Sequence, residues 1–337
     1  MIIVHAAEKP VPSSEHAGET IAAVVTRTQL EPADRIPPNA IWIDLIEPTV
    51  DEDCMAQEFV GAPIPTKADP DFTEPTEAHY VDNGVVYLHA SVLSEPKDTP
   101  DTTGVTFIIA PAMLVTVRYH PVESFDIFAK KISKAPGQNL SPDLFALGLI
   151  NTVLSRSARA LNESGVSLDR IASAVFRAEG DQSRRNQIYF DTLNALGRED
   201  EKISNLRESM LSIERLLLFL SSERRPADAP EPVRDATNSA LRDLQSLEAD
   251  ASFKAQKVQF LLDATLGLIN LAQSDIIKLF SVLAVIFMPP TVIASIYGMN
   301  FRAMPELEWA WGYPLAVVLM IAAAIVPYVF FRWKKWL

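Results

Sequence analysis

Hydrophobic and polar residues follow three different patterns along this chain. Between residues 40 and 120, short apolar runs alternate with polar positions, as in "AIWIDLIEP" (40–48), and a period of two predicts β-strands. From residue 122 onward apolar residues recur at helical spacing, and two runs near the C-terminus are almost wholly apolar. The pattern therefore predicts a strand-rich part, a helical part and a part that crosses a membrane.

The strand-rich part is predicted to form a small, mainly antiparallel sheet with short helices. A first strand is expected at 21–28, and a short helix is expected around 50–60. "AHYVDNGVVYLHASVL" (78–93) has two β-rich runs around Asp-Asn-Gly, which is a strong hairpin signal. "GVTFIIAPAMLVTVRYH" (104–120) gives a second pair of runs, broken at Ala-Pro.

Three long helices are predicted after the sheet. Residues 141–180 begin with Ser-Pro-Asp and end on glycine, and residues 184–223 form a second amphipathic pattern. The segment 224–232 has three prolines and predicts a turn. No break follows until a Pro-Pro pair, so one helix is expected over 232–297, with a length of about 100 Å. Such a length favours a stalk that enters a membrane.

The two apolar runs are long enough to span a bilayer. Residues 276–297 carry one charge, Lys278, and residues 312–331 carry none. The basic residues that follow (Arg332, Lys334 and Lys335) place the C-terminus in the cytoplasm by the positive-inside rule. Two spans then place the N-terminal part in the cytoplasm too, and the 298–311 loop outside. Two core helices of a soluble protein are the less favoured alternative.

The composition excludes several classes of protein. The formal charge of −13, from 43 acidic and 30 basic residues, disfavours nucleic acid as a partner and is compatible with attraction of cations. On charge alone, an ordinary self-repelling cytosolic surface is the favoured interpretation. Cys54 is the single cysteine, so neither an intramolecular disulfide nor a cysteine-rich metal cluster is expected. The N-terminus lacks the features of a secretory signal. No glycine-rich phosphate loop and no convergent catalytic constellation is present, so the chain is not expected to be an enzyme.

One stripe of the first span is suited to a water-filled pathway. Two spans cannot enclose a pathway within one protomer, so a channel requires oligomerisation. Steps of seven from Asp263, with their neighbours three or four residues away, give one stripe: Asn270, Ile277, Ala284 and Thr291, with Leu266, Ser274, Ser281, Met288 and Ser295. Inside the bilayer this stripe carries small and hydroxyl residues, whereas the remainder of the span is Leu, Val, Ile and Phe. Simple helix packing explains such a stripe equally well. The adjacent prolines, Pro289 and Pro290, are expected to bend the span and free backbone carbonyls.

The loop between the spans carries a family resemblance. In "SIYGMNFRAMPELEW" (295–309) a Gly-Met-Asn ends the first span and Met-Pro-Glu-Leu follows. A Gly-Tyr-Pro then opens the second span, and "KKWL" closes the chain. These features resemble the CorA family of divalent-cation transporters, and "GLINLAQSDIIKLFSVLAVIFMPPTVIASIYGMN" resembles its enterobacterial branch. The likeness is strong from about residue 255 and faint before it, as in "IWIDLIEPTVDED" (41–53).

The resemblance implies a homopentamer in a bilayer, with a cytoplasmic α+β domain of α/β/α layers, a stalk helix and two transmembrane helices. It divides the chain into the domain (1–140), a long-helix hairpin (141–230), the stalk (231–275), the first span (276–297), the loop (298–311), the second span (312–331) and a basic tail (332–337). It implies a selectivity filter at Gly298, Met299 and Asn300, and it adds Phe280 to the pore-lining set. Glu306 and Glu308 then lie at the outer mouth.

The implied activity is Mg²⁺ influx driven by membrane potential across the inner membrane, without a cofactor. Because Mg²⁺ gives up its water reluctantly, a ring of Asn300 carbonyls would select the hydrated ion, with a ring of Asp263 carboxylates at the cytoplasmic mouth. Gly298 is expected to end the helix in a left-handed cap. Ile277, Phe280 and Met288 would form apolar constrictions. Intracellular Mg²⁺, bound by carboxylates such as Asp243, Glu248 and Asp250, would regulate the pore.

Three other interpretations remain open. A zinc transporter of the ZntB type shares the Gly-Met-Asn architecture, but all five histidines (His5, His16, His79, His89 and His120) precede the spans, and dehydrated zinc usually seeks nitrogen or sulfur ligands. Co²⁺ and Ni²⁺ are further candidate ions. A non-conducting scaffold or sensor would use the helices only to oligomerise, and a membrane-anchored enzyme would need a catalytic constellation.

Overall fold

The fold is described here from a computed structural model, which covers residues 1–8, 24–31, 34–65, 79–94, 101–134, 141–177, 182–223, 230–299, 309 and 311–334. The chain divides into two compact units. The first unit comprises Met1–Ser173 and Asn194–Phe260, and the second comprises Ala174–Leu193 and Leu261–Leu337.

The described strands of the first unit form one seven-stranded sheet in the order β2-β1-β3-β7-β6-β5-β4. The strands are β1 (Ile2–Glu8), β2 (Val24–Leu30), β3 (Ala40–Ile46), β4 (His79–Asp82), β5 (Val85–Ser94), β6 (Asp101–Ile109) and β7 (Leu114–Arg118). Five of the six pairings between these described strands are antiparallel, and β3 with β7 is the parallel one. The predicted, mainly antiparallel sheet is therefore confirmed, with β1 as a strand that the sequence pattern did not predict.

The helices are α1 (Val50–Val60), α2 (Glu123–Lys134), α3 (Pro142–Phe176), α4 (Gln182–Glu223), α5 (Glu231–Tyr297) and α6 (Gly312–Trp333). Local residues define several of their ends. The Thr49 hydroxyl accepts from the Glu52 N–H at 3.3 Å, and the Glu52 carboxylate accepts from the Thr49 N–H at 2.8 Å. This reciprocal capping begins α1, and Gly61 ends it at φ 73°, in the left-handed region that glycine tolerates.

The sheet has a hydrophobic core on each face. On one face, Ile43, Leu45, Val115 and Val117 pack with Ala56 of α1. On the other face, a larger core unites Trp42 and the alternate residues of β5 and β6 with residues of α2, α3, α4 and α5: Phe125, Phe128, Phe145, Leu149, Ile213, Leu217, Ala240 and Leu244. The expected α/β/α layering is confirmed, and side-chain alternation explains it, because consecutive strand residues point to opposite faces.

A buried ion pair joins the two parallel strands. Arg118 on β7 donates to both carboxylate oxygens of Asp44 on β3, at 2.8 to 3.2 Å, and each side chain is 3% exposed. The Thr116 hydroxyl also donates to Asp44 at 2.8 Å and accepts from the Trp42 indole at 2.9 Å. Because a buried charge is costly unless it is paired and hydrogen-bonded, this network holds β3 and β7 in a single arrangement.

The second unit contains the end of α3, the start of α4, the C-terminal part of α5 and all of α6. Two helices among the described residues, α5 and α6, are long and apolar enough to cross a membrane. Their most apolar windows have mean hydropathies of 2.2 and 2.4, and only 6% of each window is buried within the chain. Such exposed apolar surface is typical of helices whose surroundings are lipid or other helices rather than water.

Candidate ion pathway

The C-terminal part of α5 is one continuous helix across both prolines of the first predicted span. The helix ends at Tyr297, and Pro289 and Pro290 lie inside it. Because proline has no N–H, the carbonyls of Val285 and Ile286 lose the intrahelical donors that lie four residues further along. The bend that was expected from this pair stays a prediction, whereas the two released acceptors follow from the helix itself.

Exposure separates two faces of α5 within the second unit. Leu261, Thr265 and Val282 are buried, and they mark the side of the helix that is covered within the chain. The ten residues predicted to line a pore are all exposed in the chain: Asp263, Asn270, Ser274, Ile277, Phe280, Ser281, Ala284, Met288, Thr291 and Ser295. Exposure is what a pore-lining role requires. Leucines of the same span, such as Leu279 and Leu283, are also exposed, so exposure alone does not select the pore face.

A shallow groove brings four of the predicted residues together on the last turns of α5. Ala284, Met288, Thr291 and Ser295 line it, and four larger residues complete it: Phe287, Val292, Ile296 and Met299. The spacing of three and four residues explains this arrangement, since such positions are neighbours on a helix. Met299 belongs to the predicted filter, whereas Phe287, Val292 and Ile296 were not selected from the sequence, because their size and hydrophobicity resemble those of ordinary lipid-facing positions.

The hydroxyl groups of this helix bond to their own backbone. Ser274 donates to the carbonyl of Asn270 at 2.9 Å, Ser281 to that of Ile277 at 2.8 Å, and Thr291 to that of Phe287 at 2.7 Å. Each hydroxyl proton is therefore used within the helix. The oxygen lone pairs remain as acceptors on the surface, which is the polarity that the hydrogens of a cation's hydration shell require.

Gly298 does end α5, but the predicted left-handed cap is wrong. Its N–H donates to the carbonyl of Ala294 at 3.0 Å, as in a continuing helix, and its φ is not among the positive values. The N–H of Met299 donates to the carbonyl of Ile296 at 3.2 Å, which is the tighter spacing common in a last helical turn. A Cβ at Gly298 would lie 3.3 Å from the Ala294 oxygen, so glycine relieves crowding there rather than permitting an unusual φ.

The rest of the predicted filter and mouth lies outside the described residues. Asn300, Glu306 and Glu308 belong to this group. Met299 is the last described residue of the tripeptide, and it is exposed in the groove.

The carboxylates predicted to regulate the pore have differing surroundings. Asp250 accepts a hydrogen bond from Lys254, and Asp243 is exposed. Burial raises the pKa of Glu248 above its ordinary value, the nearby Glu214 raises it further, and Arg207 opposes the shift. Within the described ranges, no three His, Cys, Asp or Glu side chains converge as metal ligands in one chain.

An ion pair marks the level at which α5 turns from polar to apolar. Lys278 donates to the Asp275 carboxylate at 3.2 Å, with both side chains exposed. From Leu279 to Tyr297 the helix carries no charged residue. The start of α4 lies beside this level, because Asn186, Phe190 and Leu193 share a cavity of about 190 Å³ with Ile269, Ala272, Gln273 and Ile276.

Comparisons with known proteins identify a family from the sequence and a shared fold from the structure. Residues 39–335 match the family model described as CorA-like Mg²⁺ transporter protein. The chain is 33% identical over 300 residues to the magnesium transport protein CorA of Haemophilus influenzae, which covers 88% of this chain and 92% of that protein. It is 31% identical over 315 residues to the CorA of Escherichia coli, and the match covers 93% of this chain and 96% of that protein. The complete structure of the CorA magnesium transporter from Methanocaldococcus jannaschii has the same fold, with a TM-score of 0.75 and 17% sequence identity. The match covers 100% of this chain and 99% of that structure's chain.

Proposed function

This chain belongs to the family of CorA-like Mg²⁺ transporter proteins, and on that premise we propose that it conducts Mg²⁺ into the cell through a homopentameric pore lined by α5. The observation that carries the proposal is the exposed stripe on α5, where small residues alternate with hydroxyls bonded to their own helix. A ring of such helices presents acceptor oxygens to a hydrated cation while each helix keeps its hydrogen bonds.

The selectivity filter in this proposal is the ring of Asn300 side chains, placed by Gly298 and Met299 at the end of α5. An amide oxygen accepts hydrogen bonds from the water around Mg²⁺ without removing it, which suits an ion that dehydrates reluctantly. Glu306 and Glu308 in the outer loop would concentrate cations at the mouth.

Two apolar levels and one acidic level follow below the filter. Met288 forms one constriction, and Ile277 with Phe280 forms a second, which can close by excluding water. Asp263 supplies a ring of carboxylates at the inner end, where exiting cations meet the cytoplasm. The residues between these levels are polar or small: Asn270, Ser274, Ser281, Ala284, Thr291 and Ser295.

Topology and regulation complete the proposal. The first unit lies in the cytoplasm with both chain termini, residues 231–275 form the stalk, and the loop 298–311 faces outward from the inner membrane. Arg332 and Lys334 at the end of α6 support this orientation by the positive-inside rule. Intracellular Mg²⁺ bound between the stalk carboxylates of neighbouring copies would hold the ring closed, since without it those carboxylates repel one another.

A Zn²⁺ transporter of the ZntB type is the second candidate ion specificity, and Co²⁺ and Ni²⁺ are further candidate substrates. The pathway residues favour Mg²⁺ over dehydrated zinc, because the described stripe offers oxygen atoms and a thioether but no imidazole or thiolate. A non-conducting scaffold or sensor would share the fold, and ion flux separates it from a channel.

The deciding experiment measures Mg²⁺ and Zn²⁺ uptake into proteoliposomes that contain the full-length chain. We expect Mg²⁺ uptake by the parent and a decrease of about tenfold or more for Asn300→Ala, since the filter oxygens are removed from every copy at once. Asn162→Ala on α3, an exposed asparagine of the first unit, is the matched control and should leave uptake unchanged.

Three outcomes would contradict parts of the proposal. Unchanged Mg²⁺ uptake in Asn300→Ala would overturn the filter assignment. Uptake of Zn²⁺ but not Mg²⁺ would favour the zinc transporter, and no flux of either ion in the folded, reconstituted parent would favour the scaffold.

A further inference from the structure

The end of α3 and the start of α4 lie in the second unit with the two apolar helices. We call residues Ala174–Arg177 and Arg184–Leu193 the tip segment. Its inward side is packed, since Val175 is 2% exposed and Tyr189 is 6% exposed. Their immediate neighbours point outward, with Phe176 57% exposed and Phe190 61% exposed. The tip segment therefore has a packed face and an exposed face that carries aromatic rings.

The part of α5 that lies beside Phe190 places this exposed face at the membrane boundary. Phe190 lines the same cavity as Gln273 and Ile276, and the Asp275–Lys278 ion pair occupies this level of α5. Beyond Lys278 the helix is free of charges to its end. The headgroup region of the bilayer that α5 enters must therefore lie at the level of the tip segment.

Arginines accompany the exposed rings. Arg177 directly follows Phe176 and is exposed, as is Arg184. Asn186 lines the cavity together with Phe190. Arg184 and Arg185 are the two residues before Asn186 on α4, so they lie within about 3 Å of it along the helix axis. A guanidinium group binds phosphate through paired hydrogen bonds, and helices at the boundary between headgroups and acyl chains commonly combine basic residues with Phe. Phe190, Arg184 and Arg185 thus lie where their chemistry has a partner in a phospholipid, and Phe176 and Arg177 belong to the same unit.

We propose that the tip segment is a phospholipid-binding surface, in which Phe176 and Phe190 insert among the headgroups and Arg177, Arg184 and Arg185 bind lipid phosphates. It anchors the α3–α4 pair to the membrane surface beside the point where α5 enters. The surface depends on insertion of α5 and α6 in a membrane, but it does not depend on which ion is conducted or on conduction itself.

The test reports the surroundings of Phe190 directly. In the full-length Cys54→Ser chain, which removes the single cysteine, Phe190→Cys is spin-labelled and reconstituted in phospholipid vesicles. Collision rates with membrane-soluble oxygen and with a water-soluble nickel chelate then locate the label. We expect the oxygen-to-nickel ratio to exceed that of a water-exposed label by about threefold or more, as oxygen partitions into lipid and the chelate does not.

Two labelled positions serve as controls. Leu211→Cys lies on the same helix and is 45% exposed in the parent chain, but it is 21 residues, or about 32 Å, from Phe190. It should behave as a water-exposed site. Ile321→Cys, near the middle of α6, reports whether the spans themselves are inserted, so a failure of insertion is distinguishable from a failure of the tip segment to bind lipid.

The outcomes decide between lipid, water and a second copy of the chain. The proposal would be overturned if the Ile321→Cys label is in the membrane but the Phe190→Cys label collides with the nickel chelate as often as the Leu211→Cys label does. A label shielded from both reagents would also overturn it, since it would show that another copy covers Phe190. In Arg184→Gln/Arg185→Gln we expect the oxygen-to-nickel ratio at position 190 to fall by about half as phosphate contacts are lost, and an unchanged ratio would overturn the role of these arginines.

Discussion

At the residue scale, His5 shows how the first unit holds a titratable group without its charge. The ring stacks on Trp42 with centroids 4.2 Å apart and an angle of 12° between the planes, and the side chain is 1% exposed. The pKa of His5 is lowered from 6.5 to about 4, mainly by burial and also by the positive charge of Arg27, while Asp126 opposes the shift. The folded chain therefore binds fewer protons at this site than the unfolded chain does between those pH values.

His5 is expected to make the first unit less stable in acid. Its contribution is fully present above pH 6.5 and is lost as the pH falls toward 4, by about 1.4 kcal/mol per pH unit and roughly 3 kcal/mol in all. In His5→Gln this part of the pH dependence should disappear, whatever the substitution does to stability at neutral pH. The measurement is urea unfolding of the solubilised full-length chain from pH 7 to 4, followed by Trp42 fluorescence after the other four tryptophans (Trp309, Trp311, Trp333 and Trp336) are replaced by Phe.

The control for this prediction is His120→Gln, which removes an exposed histidine of the same unit. His120→Gln should keep the parent's slope of unfolding free energy against pH. A His5→Gln chain with the parent's slope would show that His5 titrates normally in the folded state.

At the element scale, two helical glycines have opposite surroundings. A Cβ at Gly148 on α3 would lie 2.9 Å from a ring carbon of Phe128. That ring cannot easily move, because it packs edge-on against both Trp42 and Phe145. A Cβ at Gly197 on α4 would meet no atom within 4 Å. Glycine at 148 therefore permits the close approach of α2 and α3, whereas glycine at 197 only weakens its own helix.

Alanine at these two positions should change stability in opposite directions. Gly148→Ala is expected to destabilise the first unit by about 1–3 kcal/mol through overpacking. Gly197→Ala is expected to stabilise it by about 0.5–1 kcal/mol through helix propensity. Urea unfolding at pH 7 checks both, and a Gly148→Ala chain as stable as the parent would mean that α2 and α3 can separate at no cost.

The elements that could be predicted from the sequence are those with a strong local pattern. The hairpin at Asn83 and Gly84 has φ values of 48° and 81°, as the Asp-Asn-Gly signal predicts. The helix predicted over 232–297 is α5, Glu231–Tyr297. β1 was missed because "IIVHAAE" is short and does not alternate, and it becomes a strand through pairing with β2 and β3 on either side.

At the scale of the whole molecule, the proposed transport needs no bound cofactor because the membrane potential supplies the energy. A doubly charged ion gains about 4.6 kcal/mol per 100 mV of inside-negative potential, twice the value for a single charge. The formal charge of −13 also favours cations near the protein.

Membrane potential alone should therefore drive net uptake. In vesicles with equal, low Mg²⁺ on both sides, an inside-negative potassium diffusion potential is expected to cause Mg²⁺ entry without ATP. Collapsing that potential with equal potassium and valinomycin should abolish net entry, which a luminal Mg²⁺ indicator measures. Net uptake that persists without the potential would show that another energy source is coupled to transport.

The sequence by itself determined the features that depend on neighbouring residues: the two apolar spans, the period of the α5 stripe, the hairpin and the Gly-Met-Asn tripeptide with its family resemblance. Local periodicity and composition encode these directly. The tertiary structure decided the features that depend on residues far apart in the chain. These include the parallel pairing of β3 with β7, the burial of Asp44 against Arg118, and the position of Phe190 beside Ile276. Each of them is a long-range packing choice among segments whose local patterns would suit several partners, so the free energy of burial decides and the local pattern does not.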